Sequence, residues 1–148
     1  MSVEGEEADP VCVYPNLLVG SELGAADLEH LHELRVTRVL VVAPCRRPFG
    51  HEASGILYKD LWIGDSSNAN LLNMLMEAIE FLGYVCDSER ALVHCHAGVS
   101  RSAAVATAFI MYKEKMTFEE AFDIVKVPLL MFMSTDSNRN LDLSQVPT

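Results

Sequence analysis

Tryptophan occurs once and cysteine four times in these 148 residues. The cysteines stand at positions 12, 45, 86 and 95. They are too few and too widely spaced for a disulfide scaffold. That usage implies a reducing compartment, cytosol or nucleus. Basic residues are also scarce: 11 Lys and Arg against 21 Asp and Glu give a net charge of -10. Such a balance excludes a general nucleic-acid binder, whose phosphate contacts need excess Lys and Arg. It also disfavours adhesion to anionic membrane surfaces. No apolar run approaches the roughly 20 residues of a membrane span. Residues 1–7 are acidic and lack the basic-then-apolar order of a secretory signal. Ser2 stands where myristoylation needs Gly. Neither C-x-x-C nor H-x-x-x-H occurs, so a tetrahedral zinc site lacks its spaced ligands. The consecutive His94, Cys95 and His96 do not replace them, because neighbours on a strand face opposite ways. The nucleotide pattern G-x-x-x-x-G-K-[ST] is absent, and so are internal repeats.

What is present suffices for one domain around one core, since half of the residues are hydrophobic. Residues 1–10 read as a disordered lead. Short strands are expected over 11–14 and 17–20, around a Pro15-Asn16 turn. Leu28, Leu31 and Leu34 fall at helical spacing and predict a helix over 25–34. Residues 38–43 form an unbroken apolar run after Arg38, the mark of a buried parallel strand, and Pro44 ends it. Residues 46–54 read as loop, and 56–63 as the next strand. Leu71, Leu75, Ala78, Ile79, Leu82 and Cys86 line one face of a long helix, with Glu77 and Glu80 off it. Thr117 and Glu120 form a capping box that opens a helix from 118 to about 127, where Pro128 interrupts. Strands and helices in alternation predict an α/β fold: a central, mostly parallel sheet flanked by helices, with its ligand site at the carboxyl ends of the strands.

The chemistry concentrates at residues 94–102: His94, Cys95, His96, Ala97, Gly98, Val99, Ser100, Arg101 and Ser102. An apolar strand-like run, Ala91 to Val93, precedes them, and a helix-forming run follows from Ser102. This order delivers a cysteine to the edge of a sheet. It wraps small residues around an anion and then aims a helix N-terminus at the same point. The positive end of that helix favours thiolate over thiol, which makes Cys95 a nucleophile. Arg101 supplies a planar fork for two phosphate oxygens. Gly98 lets the backbone bend where a side chain would clash.

These nine residues resemble the signature loop of the cysteine-dependent protein phosphatases. The Ala-Gly-Val-Ser-Arg-Ser form resembles the dual-specificity branch. The resemblance extends over roughly residues 11–127, through Asn16-Leu17-Leu18-Val19-Gly20-Ser21, the run from Leu61 to Ser102, and Phe118-Glu119-Glu120-Ala121. It implies a protein phosphatase acting on phosphotyrosine and phosphoserine or phosphothreonine through a cysteinyl-phosphate, without metal or cofactor. Phosphorylated proteins are its implied partners; nucleic acid and membranes are not. The resemblance further implies that Cys95 is the nucleophile. Arg101 and the backbone N–H groups of His96, Ala97, Gly98, Val99 and Ser100 bind the phosphoryl oxygens. Asp65, in Trp62-Ile63-Gly64-Asp65, is the implied general acid, with Asp60 the alternative. Ser102 donates to the cysteine sulfur, His94 holds the loop, and His96 tunes substrate preference. The loop lacks the lysine that lipid phosphatases of this superfamily place there, which points to protein phosphoresidues.

The C-terminus departs from the family pattern. An Arg-Pro and a Pro-Asn-x-Gly-Phe segment before a closing helix are expected; this chain has Val127-Pro128-Leu129-Leu130-Met131-Phe132-Met133 and then a polar stretch. The expected division is a lead over 1–10, a catalytic domain over 11–133 lacking the usual last helix, and a polar tail over 134–148. A catalytically weak phosphate-binding protein is the alternative that this departure suggests. Cys45, after the 38–43 strand, is expected near enough to Cys95 to trap it as a disulfide on oxidation.

Overall fold

A computed structural model describes residues 10–42, 54–61, 68–83, 85, 87–95 and 100–135. Five strands form one sheet in the order β1-β2-β5-β3-β4. They are β1 (Val11–Tyr14), β2 (Leu17–Gly20), β3 (Val36–Val42), β4 (Leu57–Leu61) and β5 (Arg90–His94). β1 pairs antiparallel with β2. The β2–β5, β5–β3 and β3–β4 pairs are all parallel. The turn between β1 and β2 places Asn16 at a φ of 66°, a conformation that Asn tolerates better than most residues. The 38–43 strand begins two residues earlier than expected, at Val36. Of the strand expected over 56–63, residues 57–61 are paired; Trp62 and Ile63 lie outside the described residues.

Five helices are described: α1 (Glu22–Ala26), α2 (Leu28–Glu33), α3 (Asn68–Leu82), α4 (Ser100–Glu114) and α5 (Phe118–Thr135). Two cores result, one on each face of the sheet. α3, α4 and α5 enclose the larger one, with Leu40, Val42, Val93, Leu82, Phe109, Ile110, Val125 and Leu129. Leu31, Val39, Val41 and Leu92 build the smaller one on the opposite face, with Leu28 and Leu34 packed against it. Alternation along β3 sorts Leu40 and Val42 to one core and Val39 and Val41 to the other. The α3 face is as expected at Ala78 and Leu82, which are buried, and at Leu75 and Ile79, which pack beside them.

Two sequence expectations need correction. The helix expected over 25–34 is two short helices, because Asp27 ends the first and caps the second. Its carboxylate accepts from the His30 N–H at 3.1 Å, and Ser21 caps α1 in the same way through Gly24. A cap satisfies amides that a continuous helix would bond to backbone carbonyls, so it starts a new helix. The second correction concerns Pro128, which lies inside α5 rather than at its end. An interior proline costs about 3 kcal/mol. Against that stands a seam of Ala121, Val125 and Leu129 at four-residue spacing, all fully buried. Burying the leucine alone returns about 2–3 kcal/mol.

The capping box at the start of α5 is formed as expected. Glu120 accepts from the Thr117 N–H at 2.9 Å and from the Thr117 hydroxyl at 3.1 Å. The Glu120 N–H donates back to that hydroxyl at 3.2 Å. The backbone bond first, and the hydroxyl second, hold the Glu120 carboxyl below its ordinary value.

Candidate active site

β5 is the last strand in sequence yet lies between β2 and β3. All of Ala91, Leu92, Val93 and His94 are buried, as a central parallel strand requires. One register row crosses the sheet at its carboxyl edge: Gly20 opposite His94, His94 opposite Val41, and Val41 opposite Asp60. Cys95 is the next residue after β5 and is 3% exposed. The carboxyl ends of β2, β3 and β4 lie at this same edge.

α4 begins at Ser100, two residues before the expected start. Its third residue, Ser102, is completely buried. The Ser102 Oγ lies 3.5 Å from the Cys95 Sγ. That distance suits a hydrogen bond involving sulfur, and the hydroxyl can donate to a thiolate. The two side chains are seven residues apart in sequence, one at the end of β5 and the other in the first turn of α4. Farther along, the Thr107 hydroxyl donates to the Ala103 carbonyl at 2.7 Å. A buried polar side chain is thus satisfied within the helix itself.

His94 is completely buried at the end of β5. Arg101 is exposed on the first turn of α4. The first-turn amides and the helix dipole at this point attract an anion. His96, Ala97, Gly98 and Val99 lie outside the described residues, as does Asp65. Ser100 is described as the first residue of α4 through its backbone. Asp60, the alternative acid, is exposed on β4. It lies two strand spacings from β5 in the register row, about 10 Å. Cys45 also lies outside the described residues, although β3, the strand that leads to it, does run beside β5. Gly20 and Val41, which flank the site strand, carry no local signal in the sequence; only long-range register brings them there.

The fold is that of an α/β protein with a buried cysteine at the carboxyl end of a central parallel strand, met by a buried serine from the next helix. Comparison with known proteins narrows this. The family model for the dual specificity phosphatase catalytic domain matches residues 17–139. Human dual specificity protein phosphatase 4 is 39% identical over 124 residues, which is 82% of this chain and 30% of that protein. The chain therefore spans about a third of the length of the curated relatives it matches. Among solved structures, a substituted form of human DUSP28 superposes with a TM-score of 0.69 at 26% identity, covering 93% of this chain and 90% of that one. A mouse protein of the dual specificity phosphatase type, complexed with zinc tungstate, gives a TM-score of 0.66 at 25% identity, covering 90% and 79%. The chain belongs to the dual specificity phosphatase catalytic-domain family.

Proposed function

We propose that this chain hydrolyses phosphate monoesters on tyrosine and on serine or threonine of proteins, through a cysteinyl-phosphate. The observation that carries this reading is the 3.5 Å approach of the Ser102 hydroxyl to the buried Cys95 sulfur at the start of α4. The mouse relative is a complex with zinc tungstate, and tungstate is a tetrahedral oxyanion like phosphate. The curated relatives are named for dual specificity.

In the first step the Cys95 thiolate attacks phosphorus. The S–P bond forms, the bond to the leaving oxygen breaks, and Asp65 gives that oxygen its proton. Charge on the three remaining phosphoryl oxygens is met by Arg101 and by backbone N–H groups of residues 96–101. In the second step water gives a proton to the Asp65 carboxylate and attacks phosphorus. The S–P bond breaks, inorganic phosphate leaves, and the thiolate is restored. The Ser102 hydroxyl donates to the departing sulfur and so eases that cleavage. His94 positions the loop, and His96 adjusts substrate preference.

The partner is a phosphorylated protein rather than nucleic acid or membrane, in keeping with the charge of -10. Among the described residues, no helix is long and apolar enough to cross a membrane. The cytosol and nucleus are the compartments we assign. The catalytic domain we assign is residues 11–133, with 1–10 as a lead and 134–148 as a polar segment after it. The test is turnover of an aryl phosphate and a phosphotyrosine peptide, with vanadate and with a chelator. Inhibition by vanadate and indifference to the chelator are expected; absence of turnover, or its loss to the chelator, overturns the reading.

A further inference from the structure

Among the described residues, Leu23 is the large apolar side chain most open to water, at 80% exposure. Scattered surface leucines are ordinary, so its place in the fold matters more than its exposure. Leu23 lies on α1, the element that continues β2, and β2 is hydrogen-bonded to β5. The register sets Gly20 opposite His94, so the chain reaches Ser21 beside the end of β5 that leads into Cys95. α1 then lies against both strands. Leu57, Leu72 and Leu130 are also exposed, but none of them lies on an element that continues a strand paired with β5.

The orientation of Leu23 is set locally. The Ser21 hydroxyl accepts from the Gly24 N–H at 3.3 Å, which closes the first turn of α1. Gly24 and Ala25 are buried, and Ala25 belongs to the smaller core. Leu23 is two residues from Ala25, about 200° around the helix, and so stands on the outward side. One strand spacing and the short path from Ser21 put its backbone about 10 Å from Cys95. That is too far to touch a phosphoryl group on the sulfur and near enough to touch the chain that carries it.

We propose that Leu23 is a specificity-determining residue of the Cys95 site: it receives an apolar side chain of the phosphoprotein, two or three positions from the phosphoresidue. An extended substrate advances about 3.3 Å per residue, so it covers the distance from Cys95 to Leu23 within that span. Leucine against an apolar side chain removes area from water on both partners, and a polar residue at either position forfeits the gain. A phosphoresidue in a protein carries such neighbours, whereas a small aryl phosphate has none. The inference rests on the phosphatase reading and adds to it the chemistry that flanks the phosphoresidue.

The test is kcat/KM for phosphotyrosine peptides with Leu or Gln at the second and third positions, before or after the phosphoresidue, beside an aryl phosphate as reference. The neutral Leu-to-Gln exchange keeps the charge of the chain out of the comparison. The unaltered chain is expected to prefer a Leu peptide to its Gln counterpart by at least about tenfold. Leu23→Gln removes most of that preference, and Leu130→Gln, at an exposed leucine on α5, keeps it. Binding of the same peptides to the Cys95→Ser chain gives the preference a second measure without turnover. Unchanged melting temperatures establish that each variant is folded. No preference for Leu on either side, a preference that survives Leu23→Gln, or one lost equally in Leu130→Gln overturns the proposal. Absence of turnover of the aryl phosphate itself is a different outcome, and it overturns the phosphatase reading on which the proposal rests.

Discussion

Leu129 tests whether the second half of α5 holds the domain together. It lies one residue beyond Pro128, inside the helix, and is completely buried in the larger core with Ala121 and Val125. Leu130, the next residue, is 46% exposed. Leu129→Ala removes three buried carbons and leaves a cavity that the packed helices fill only in part. For a leucine without exposure the loss is about 3–4 kcal/mol. For a chain of this size each kcal/mol moves the midpoint by roughly 3 °C, so a drop of about 10 °C is expected. Leu130→Ala is expected to change stability by less than about 0.5 kcal/mol, or 1–2 °C. Pro128→Ala supplies the missing N–H to the Ile124 carbonyl, one turn back, and raises stability by up to about 3 kcal/mol. The three variants are compared by thermal unfolding followed by circular dichroism, with urea midpoints as a second measure. Similar small shifts for Leu129→Ala and Leu130→Ala, together with a neutral Pro128→Ala, would mean that α5 is not docked past Pro128, and the reasoning would fail.

Cys95→Ser is expected to abolish turnover while keeping phosphopeptide binding, since the cradle survives without its nucleophile; appreciable turnover by the serine variant contradicts this. Asp65→Asn should slow phosphotyrosine hydrolysis by 10²–10⁴-fold and an aryl ester with an acidic leaving group far less. Equal slowing of both would move the acid role elsewhere, with Asp60 tested next. Ser102→Ala should lower kcat by roughly tenfold, about 1.4 kcal/mol, and reveal a burst of released alcohol as the phosphocysteine accumulates. An unaltered kcat with no burst would leave the 3.5 Å contact a structural one. The Glu120 carboxyl is held below its ordinary value in the folded chain. Its contribution is therefore complete above the unfolded value and lost as pH falls through the folded one. Urea melts between pH 7 and pH 3 should show a loss that Glu120→Gln flattens, whereas identical pH slopes for the two proteins would refute the assignment.

The strands and the start of α5 were legible because their signals are local. An unbroken apolar run predicts β3, and the spacing of Thr117 and Glu120 predicts the start of α5; both are found. Two misplaced helix boundaries share one physical origin, which is competition between a local rule and something the rule omits. At Asp27 the leucine spacing favours one helix, but a carboxylate bonded to His30 is a stronger local term and restarts it. At Pro128 the local term favours a stop, but the buried Ala121, Val125 and Leu129 seam is tertiary and prevails. Strand order is wholly non-local. Nothing in residues 90–94 alone says that β5 enters between β2 and β3. That insertion nevertheless gives the site its character. A strand with hydrogen-bonded neighbours on both sides cannot easily shift its end, so Cys95 is fixed against the rising α4 and meets Ser102 without exposure to water. Away from Cys95, α3 and α4 flank an open groove lined in part by Ile79 and Phe109. No periodicity in either helix announces that groove, because its walls come from segments separated by β5.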